Sequence, residues 1–223
     1  MAALYPLYLD MTRVRCLIVG GGKVAERKVH GILEAGGSVR LVSPEVTAEL
    51  RRLSEDGAIE AISSVYQREH LSGVQLAFAA TDRPEVNAAV CRDARLLDIW
   101  VNSAEAPAEG DFIVPAVIRR GDFCLSISTG GANPMLSARI RAELEERFGP
   151  EYEELMELLA DLRAYIIVRT APGKTRRGAL EVLLDHEGEL RRLLRERQGD
   201  LARAHAENVV NVVLQTSSPA GEE

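Results

Sequence analysis

An apolar run near the amino terminus leads straight into three consecutive glycines, and a helical pattern begins at once. The run ends at Val19, and Gly20, Gly21 and Gly22 follow it. Gly20 permits a tight turn, Gly22 lets the backbone approach a pyrophosphate, and Ala25 keeps the helix close to the strand. The phosphates would lie against unpaired N–H groups at the start of the helix. This pattern predicts a dinucleotide-binding β-turn-α unit; a glycine-rich turn in an unrelated α/β protein is the alternative.

Strand-like and helical segments then alternate along the first half of the chain. Strand-like runs occur at residues 38–42, 75–80 and 98–102, and helical segments begin near Thr47 and Pro84. Alternation at this spacing predicts a parallel, doubly wound sheet of Rossmann type.

A different pattern follows in the second half. Two strand-like runs, 112–118 and 122–128, are joined by a short turn and predict an antiparallel hairpin. Asn133 is typical of a helix N-cap, and the sequence after it is helical with breaks at 171–173 and Gly199.

The fold class predicted from these patterns is α/β. An N-terminal Rossmann-type parallel sheet is followed by a short α+β region and a helical C-terminal region. We place a Rossmann domain at residues 1–113, the α+β region at 114–148 and a helical domain at 149–223. A chain of 223 residues is long enough to bury a sizeable core.

Composition narrows the choice of partners and compartment. The net charge of −7 gives no global reason to expect nucleic-acid binding. No apolar run approaches the roughly 20 residues that span a bilayer, and the amino terminus lacks the basic segment of a signal peptide. The three cysteines are widely spaced, so we expect buried thiols in a cytoplasmic protein. The four histidines show no metal-ligand spacing, and we expect no metal site.

Three residues after the second strand-like run are candidates for binding the cofactor ribose: Ser43, Pro44 and Glu45. Glu45 could accept hydrogen bonds from ribose hydroxyls, which favours NAD. Ser43 together with Arg40 or Lys23 could instead tolerate the 2′-phosphate of NADP. Glu45 could also be a solvated acid in a first helical turn. We expect NAD.

Two further strand ends carry polar groups that would lie at the same sheet edge. Thr81 and Asp82 would lie beside the cofactor, and Asn102 would lie near the nicotinamide. Glu105 follows closely and is a candidate general base. A loop carboxylate in water is the alternative for Glu105.

A second glycine-rich turn precedes the helix that starts near residue 134. Its amides and hydroxyls could hold a carboxylate or phosphate, although structural turn chemistry would explain the same residues. Nearby arginines suit carboxylate recognition, whereas surface arginines usually only solvate a face. The candidate substrate-binding residues are Arg119, Arg120, Thr129, Gly130, Gly131 and Asn133.

Taken together, these segments resemble the precorrin-2 dehydrogenase/sirohydrochlorin ferrochelatase family of the siroheme synthase N-terminal type. The matching segments cover roughly residues 4–147, and the helical remainder matches only in general character. The resemblance is carried by residues 5–9, Cys16–Lys28, Ala79–Asp82 with Val86 and Asn87, Val101 and Asn102, Phe112–Pro115 and Ser128–Arg139.

The resemblance implies NAD-dependent oxidation of precorrin-2 to sirohydrochlorin in siroheme or related tetrapyrrole biosynthesis. It implies a homodimer with 114–148 as the dimerisation region, and some members also insert Fe²⁺ into sirohydrochlorin. By position, it implies NAD contacts at Lys23, Val24, Pro44 and Glu45, beside the glycines and Ala25.

The chain departs from the family pattern at two positions. Glu105 stands where the family has a catalytic aspartate, and Thr129 stands where the family often has a serine. A carboxylate is retained but is one methylene longer, so dehydrogenation remains expected and chelation less so.

Two other functions fit parts of the sequence. A non-catalytic NAD-sensing regulatory module shares the strand–glycine–helix opening, but its second strand typically ends in an acid, which is absent here. A dehydrogenase for another small molecule could use the same fold.

Overall fold

A computed structural model describes residues 4–216 of the chain. Two compact units are present: one runs to residue 114 and includes 130–132, and the other comprises 115–129 and the described chain from 133. The predicted α+β region, 114–148, therefore falls mainly in the second unit. The outer ends of the predicted domain ranges, residues 1–3 and 217–223, lie outside the described residues.

From residue 4 onward, the first unit contains the predicted parallel sheet, with five strands in the order β3-β2-β1-β4-β5. The chain adds β2 and β3 on one side of β1 and then returns to add β4 and β5 on the other side. The carboxyl ends of β1 and β4 therefore flank the topological switch point, where ligands of such sheets bind. The strands are β1 (Arg15–Val19), β2 (Ser38–Val42), β3 (Glu60–Ile62), β4 (Leu76–Ala79) and β5 (Trp100–Ser103).

Successive strand residues point to opposite sides of this sheet, so both of its faces are apolar, and helices cover both. On one face, Ile18 and Phe78 pack with Ala25 and Val29. On the other face, Leu17 packs with residues from the third helix. The helices are α1 (Lys23–Glu34), α2 (Ala48–Glu55) and α3 (Pro84–Arg95), and short 3-10 turns lie at Met11–Arg13, Arg68–Leu71 and Pro107–Glu109.

Several local expectations are confirmed in this unit. Thr47 caps α2, where its side chain accepts a hydrogen bond from the Leu50 N–H at 3.3 Å. Pro84 is the first residue of α3, where its missing N–H costs nothing. Cys16 and Cys91 are buried, as expected for apolar thiols, and Cys124 in the second unit is partly buried. Burial raises the pKa of the Cys16 thiol to about 12.

Strand β5 forms one edge of the sheet, and Asp111 covers part of it. The Val101 N–H donates to Asp111 Oδ2 at 3.0 Å, and the Asp111 N–H donates to the Val101 carbonyl at 2.7 Å. The opposite edge strand, β3, is only three residues long.

In its described residues, the second unit contains an antiparallel hairpin and five helices. The first hairpin strand begins at Ala116 and not at residue 112 as expected, because Pro115 has no N–H to donate. The helical region also breaks at His186, which the sequence pattern did not predict. The elements are β6 (Ala116–Arg120), β7 (Phe123–Ile127), α4 (Pro134–Arg147), α5 (Glu151–Arg169), α6 (Lys174–Asp185), α7 (Glu187–Arg195) and α8 (Gly199–Thr216).

A separate hydrophobic core holds the second unit together. Leu155, Ile166 and Leu190 are among its fully buried side chains. Among residues 4–216, no helix is long and apolar enough to cross a membrane. The same residues contain no group of three histidines, cysteines or carboxylates that could hold a metal ion.

Candidate cofactor and catalytic site

The glycine turn after β1 has the steric features that a dinucleotide site requires. Gly20 has a φ of +122°, and a Cβ at this position would lie 2.3 Å from the Ala80 carbonyl oxygen. A Cβ on Gly22 would meet no atom within 4 Å, so the space in front of this residue is open. Gly22 is the N-cap of α1 and supplies no side-chain hydrogen bond. The first N–H groups of α1 are therefore available to an anion.

The loop after β2 packs directly against this turn. The Thr47 N–H donates to the Gly21 carbonyl at 3.0 Å, and a Cβ on Gly21 would lie 1.9 Å from the Glu45 carbonyl oxygen. The Ser43 hydroxyl also donates to that carbonyl, at 2.6 Å. The structure thus brings Ser43, Pro44 and Glu45 next to the glycines, with the Pro44 and Glu45 side chains exposed.

The cations considered for a 2′-phosphate have other partners. Arg40 Nε donates to Glu60 at 3.0 Å, and Arg40 Nη1 donates to the carbonyls of His70 and Ser72. Lys23 Nζ pairs with Glu26 at 2.8 Å. Because three hydrogen bonds already hold Arg40, the geometry favours NAD over NADP.

Glu26 lies in the first turn of α1, close to where a pyrophosphate would approach. Hydrogen bonds from Lys23 and from the Thr47 hydroxyl, the latter at 2.6 Å, lower the pKa of its carboxyl. The Lys23 ammonium balances this carboxylate, so the first turn carries no uncompensated negative charge.

A buried amide links the turn after β4 to the candidate base. Both the N–H and the hydroxyl of Thr81 donate to Asn87 Oδ1, at 3.1 and 2.8 Å. Asn87 Nδ2 donates to the Thr81 carbonyl at 3.0 Å and to Glu105 Oε2 at 3.3 Å. Thr81 follows Ala80, whose carbonyl faces Gly20, so the glycine turn, Thr81, Asn87 and Glu105 form a continuous set. Asp82 is exposed in the loop that follows.

Asn102, a predicted cofactor contact, is buried and engaged with protein groups. It is 5% exposed; its Oδ1 accepts from Lys28 Nζ at 2.7 Å and its Nδ2 donates to the Phe112 carbonyl at 2.9 Å. Lys28 also lies over the Phe78 ring, 5.2 Å from its centroid. Burial, with a smaller effect of Arg27, lowers the pKa of Lys28 to about 8. Asn102 therefore ties α1 to β5 and to the end of the loop that carries Glu105.

In the second glycine-rich turn, the side chains of Thr129 and Asn133 form local hydrogen bonds. Asn133 Oδ1 accepts from the Leu136 N–H at 3.0 Å and caps α4 as expected. The Thr129 hydroxyl accepts from the Asn133 N–H at 3.1 Å and lies 3.2 Å from Ser137 Oγ. Gly130 and Gly131 have φ values of +64° and +84°, which glycine adopts without strain.

The two candidate substrate arginines do not share a surface. Arg119 and Arg120 are consecutive residues of β6, so their side chains point to opposite faces of the hairpin. Arg119 is exposed, whereas Arg120 is partly buried and its Nη1 donates to the Arg119 carbonyl at 3.0 Å.

Comparisons with known proteins identify relatives of this chain. A family model described as putative NAD(P)-binding matches residues 7–116. The siroheme synthase of Chromobacterium violaceum is 36% identical over 217 residues, which are 97% of this chain and 45% of that protein. The siroheme synthase of Pseudomonas putida is 40% identical over 158 residues, 71% of this chain and 34% of that protein. The chain thus spans less than half the length of these curated relatives.

A solved structure extends the similarity to the whole fold. The protein titled SirC, precorrin-2 dehydrogenase, aligns with a TM-score of 0.70 and 26% identity, covering 92% of this chain and all of that one. The chain belongs to the precorrin-2 dehydrogenase family of the siroheme synthase type.

In this member of the precorrin-2 dehydrogenase family, two side chains that the sequence did not predict lie at the candidate site: Asn87 and Lys28. Asn87 lies in the first turns of α3 and is 3% exposed. Lys28 lies on α1 between the buried residues Ala25, Val29 and Ile32. In both cases a polar residue interrupts the apolar face of a helix, and this was the available signal.

Proposed function

We propose that this chain catalyses the NAD-dependent dehydrogenation of precorrin-2 to sirohydrochlorin. The contact set from Gly20 through Thr81 and Asn87 to Glu105 carries the proposal. It joins an open dinucleotide turn to a carboxylate at the same edge of one sheet. Enzymes of this kind need a cofactor and a base held side by side.

The residues of the chain divide the work as follows. The first N–H groups of α1 bind the pyrophosphate, and the exposed Pro44 and Glu45 flank the adenosine ribose. Bound NAD would accept the hydride that the macrocycle loses. Glu105 accepts the proton that leaves a neighbouring substrate atom, and its exposure gives substrate access to the carboxylate.

The substrate carries several carboxylates, whereas the chain has a net charge of −7. Local cations or amides must therefore offset the repulsion between the substrate carboxylates and the negatively charged protein. We assign this role to the hairpin arginines and the second glycine-rich turn. Their residues are Arg119, Arg120, Thr129, Gly130, Gly131 and Asn133. We further propose that the chain forms a homodimer, is cytoplasmic and inserts Fe²⁺ into the product.

An anaerobic assay with purified chain, precorrin-2 and NAD⁺ tests the activity. We expect NADH and sirohydrochlorin to appear together, with NADP⁺ a poorer oxidant because Arg40 is already paired. A parallel sample with Fe²⁺ shows whether sirohydrochlorin is consumed. NAD binding without turnover would reject the enzyme and favour the regulatory module.

A matched pair of variants tests the assigned base. Glu105→Gln is expected to lower kcat by about 10²–10⁴-fold, the usual contribution of a general base. Glu109→Gln makes the same chemical change in the same loop, in the short turn Pro107–Glu109, and is expected to leave kcat unchanged. Equal kcat values for the two variants would reject Glu105 as the base.

A further inference from the structure

Every hydrogen-bonding position of the Asn87 amide is occupied, and this fixes its orientation. Oδ1 accepts from two Thr81 donors, the N–H at 3.1 Å and the hydroxyl at 2.8 Å. A flipped amide would turn its NH₂ group toward the Thr81 N–H and leave that donor without its acceptor, at a residue that is 3% exposed. The NH₂ group therefore faces the Thr81 carbonyl and Glu105.

The contact between Asn87 and Glu105 does more than stabilise the turn after β4. Three hydrogen bonds between Asn87 and Thr81 already hold the chain between β4 and α3. The remaining N–H donates to a carboxylate 18 positions further along the chain, at 3.3 Å. Because an N–H can only donate, this contact ties one carboxylate oxygen of Glu105 to the segment between β4 and α3.

We infer that Asn87 is a positioning residue, which holds the Glu105 carboxylate toward the cofactor turn. This inference rests on the proposed dehydrogenation. Asn87 itself does not touch the reacting atoms. Asn87 acts through one N–H that binds the Glu105 carboxylate. Shortening the Glu105 side chain should therefore lower kcat, as altering the Asn87 amide does.

The central experiment is Asn87→Asp in the full chain. This change keeps an acceptor for the two Thr81 donors but removes the NH₂ group and brings two carboxylates together. We expect kcat near neutral pH to fall by about 10–100-fold and the acidic limb of the pH–rate profile to move up by about one to two pH units. The KM for NAD⁺ should change by less than about threefold, because the α1 N–H groups are untouched.

A matched control uses the same chemical change at the other end of β4. Gln75 accepts from the Arg15 N–H at 2.8 Å at the amino edge of the sheet. Gln75→Glu should leave the pH–rate profile unchanged. An equal shift in both variants, or no shift in Asn87→Asp, would overturn the inference.

A second variant protects the test against a folding defect in Asn87→Asp. Glu105→Asp leaves Asn87 and Thr81 intact and withdraws the carboxylate by about 1.5 Å, one C–C bond. We expect a lower kcat, and Asn87→Asp added to Glu105→Gln should cause no further loss. Additive losses in that double variant would show that Asn87 acts only on the fold.

A measurement without substrate separates this inference from the proposed activity. The ¹³C carboxyl resonance of Glu105 reports its titration in the free chain. Its pH midpoint should rise in Asn87→Asp and stay unchanged in Gln75→Glu. If the midpoint moves but precorrin-2 is not oxidised, the proposed function fails and the Asn87–Glu105 coupling stands. If precorrin-2 is oxidised and the midpoint does not move, the coupling fails alone.

Discussion

Two glycine-rich turns of the chain precede helices, and they differ in whether a side chain caps the first N–H groups of the helix. The turn before α1 ends on Gly22, which offers no side-chain cap. The turn before α4 ends on Asn133, whose side chain accepts from the Leu136 N–H at 3.0 Å. The first helix start remains available to an outside anion, whereas the second has an internal partner.

The glycines themselves also serve different purposes in the two turns. At Gly20 and Gly21 an added Cβ would lie 2.3 and 1.9 Å from backbone oxygens, so glycine is needed for close packing. At Gly130 and Gly131 an added Cβ would meet nothing within 4 Å, and only the positive φ favours glycine. Glycine content therefore does not identify an anion site; the available helix start and the packed backbone around it do.

The largest expected effect in this comparison comes from Gly20→Ala. The methyl group would lie 2.3 Å from the Ala80 carbonyl oxygen, and the φ of +122° is unfavourable for alanine. We expect the free energy of unfolding to fall by about 3–5 kcal/mol, since strain and overpacking add. Chemical denaturation measures this change.

Gly22→Ala is the matched control for that variant. Its φ is −87° and its Cβ has open space, so stability should change by less than about 1 kcal/mol. The methyl group would instead occupy the approach to the pyrophosphate, and NAD affinity should fall at least tenfold by calorimetric titration. Unchanged affinity would mean that the first turn is not the cofactor turn.

The next effect concerns Lys28, which anchors α1 after the first turn. Its pKa is about 8, below the ordinary value of 10.5, so the unfolded chain holds more protons between these values. The contribution of Lys28 to stability therefore rises with pH from about 8 to 10.5, by at most about 3 kcal/mol. Between pH 8 and 10.5, the unfolding free energy of the natural chain should therefore increase relative to that of Lys28→Met. A flat difference would contradict the assignment.

The smallest effect is expected at the second turn. Asn133→Ala removes the α4 cap and should lower the free energy of unfolding by about 1 kcal/mol, whereas Asn133→Ser should retain most of the stability. NAD affinity should stay unchanged in both variants. A tenfold weaker NAD affinity in Asn133→Ala would erase the distinction between the two turns.

Much of the fold follows from local patterns in the sequence. The Thr47 and Asn133 caps and the hairpin are predicted because each depends on residues close in sequence. The parallel sheet is predicted because strand-like and helical segments alternate along the chain. The predicted strand start at residue 112 is wrong because Pro115 cannot donate a ladder hydrogen bond, and β6 begins at Ala116.

The polar contacts of the site could be predicted only in part. Lys28 and Asn102 are 74 positions apart, and no local pattern pairs them. Asn102 is predicted to contact the cofactor because it lies at a strand end, and its hydrogen bonds to Lys28 and the Phe112 carbonyl have no counterpart in any local pattern. Which polar group meets a ligand and which meets the protein depends on tertiary packing.

Asp111 has a consequence for association between molecules. The Val101 N–H and carbonyl point away from the sheet, and Asp111 satisfies both. An incoming strand would have to displace these hydrogen bonds, and at the other margin it would find the three residues of β3. Both margins thus discourage sheet extension and the templated aggregation that begins at exposed strand edges.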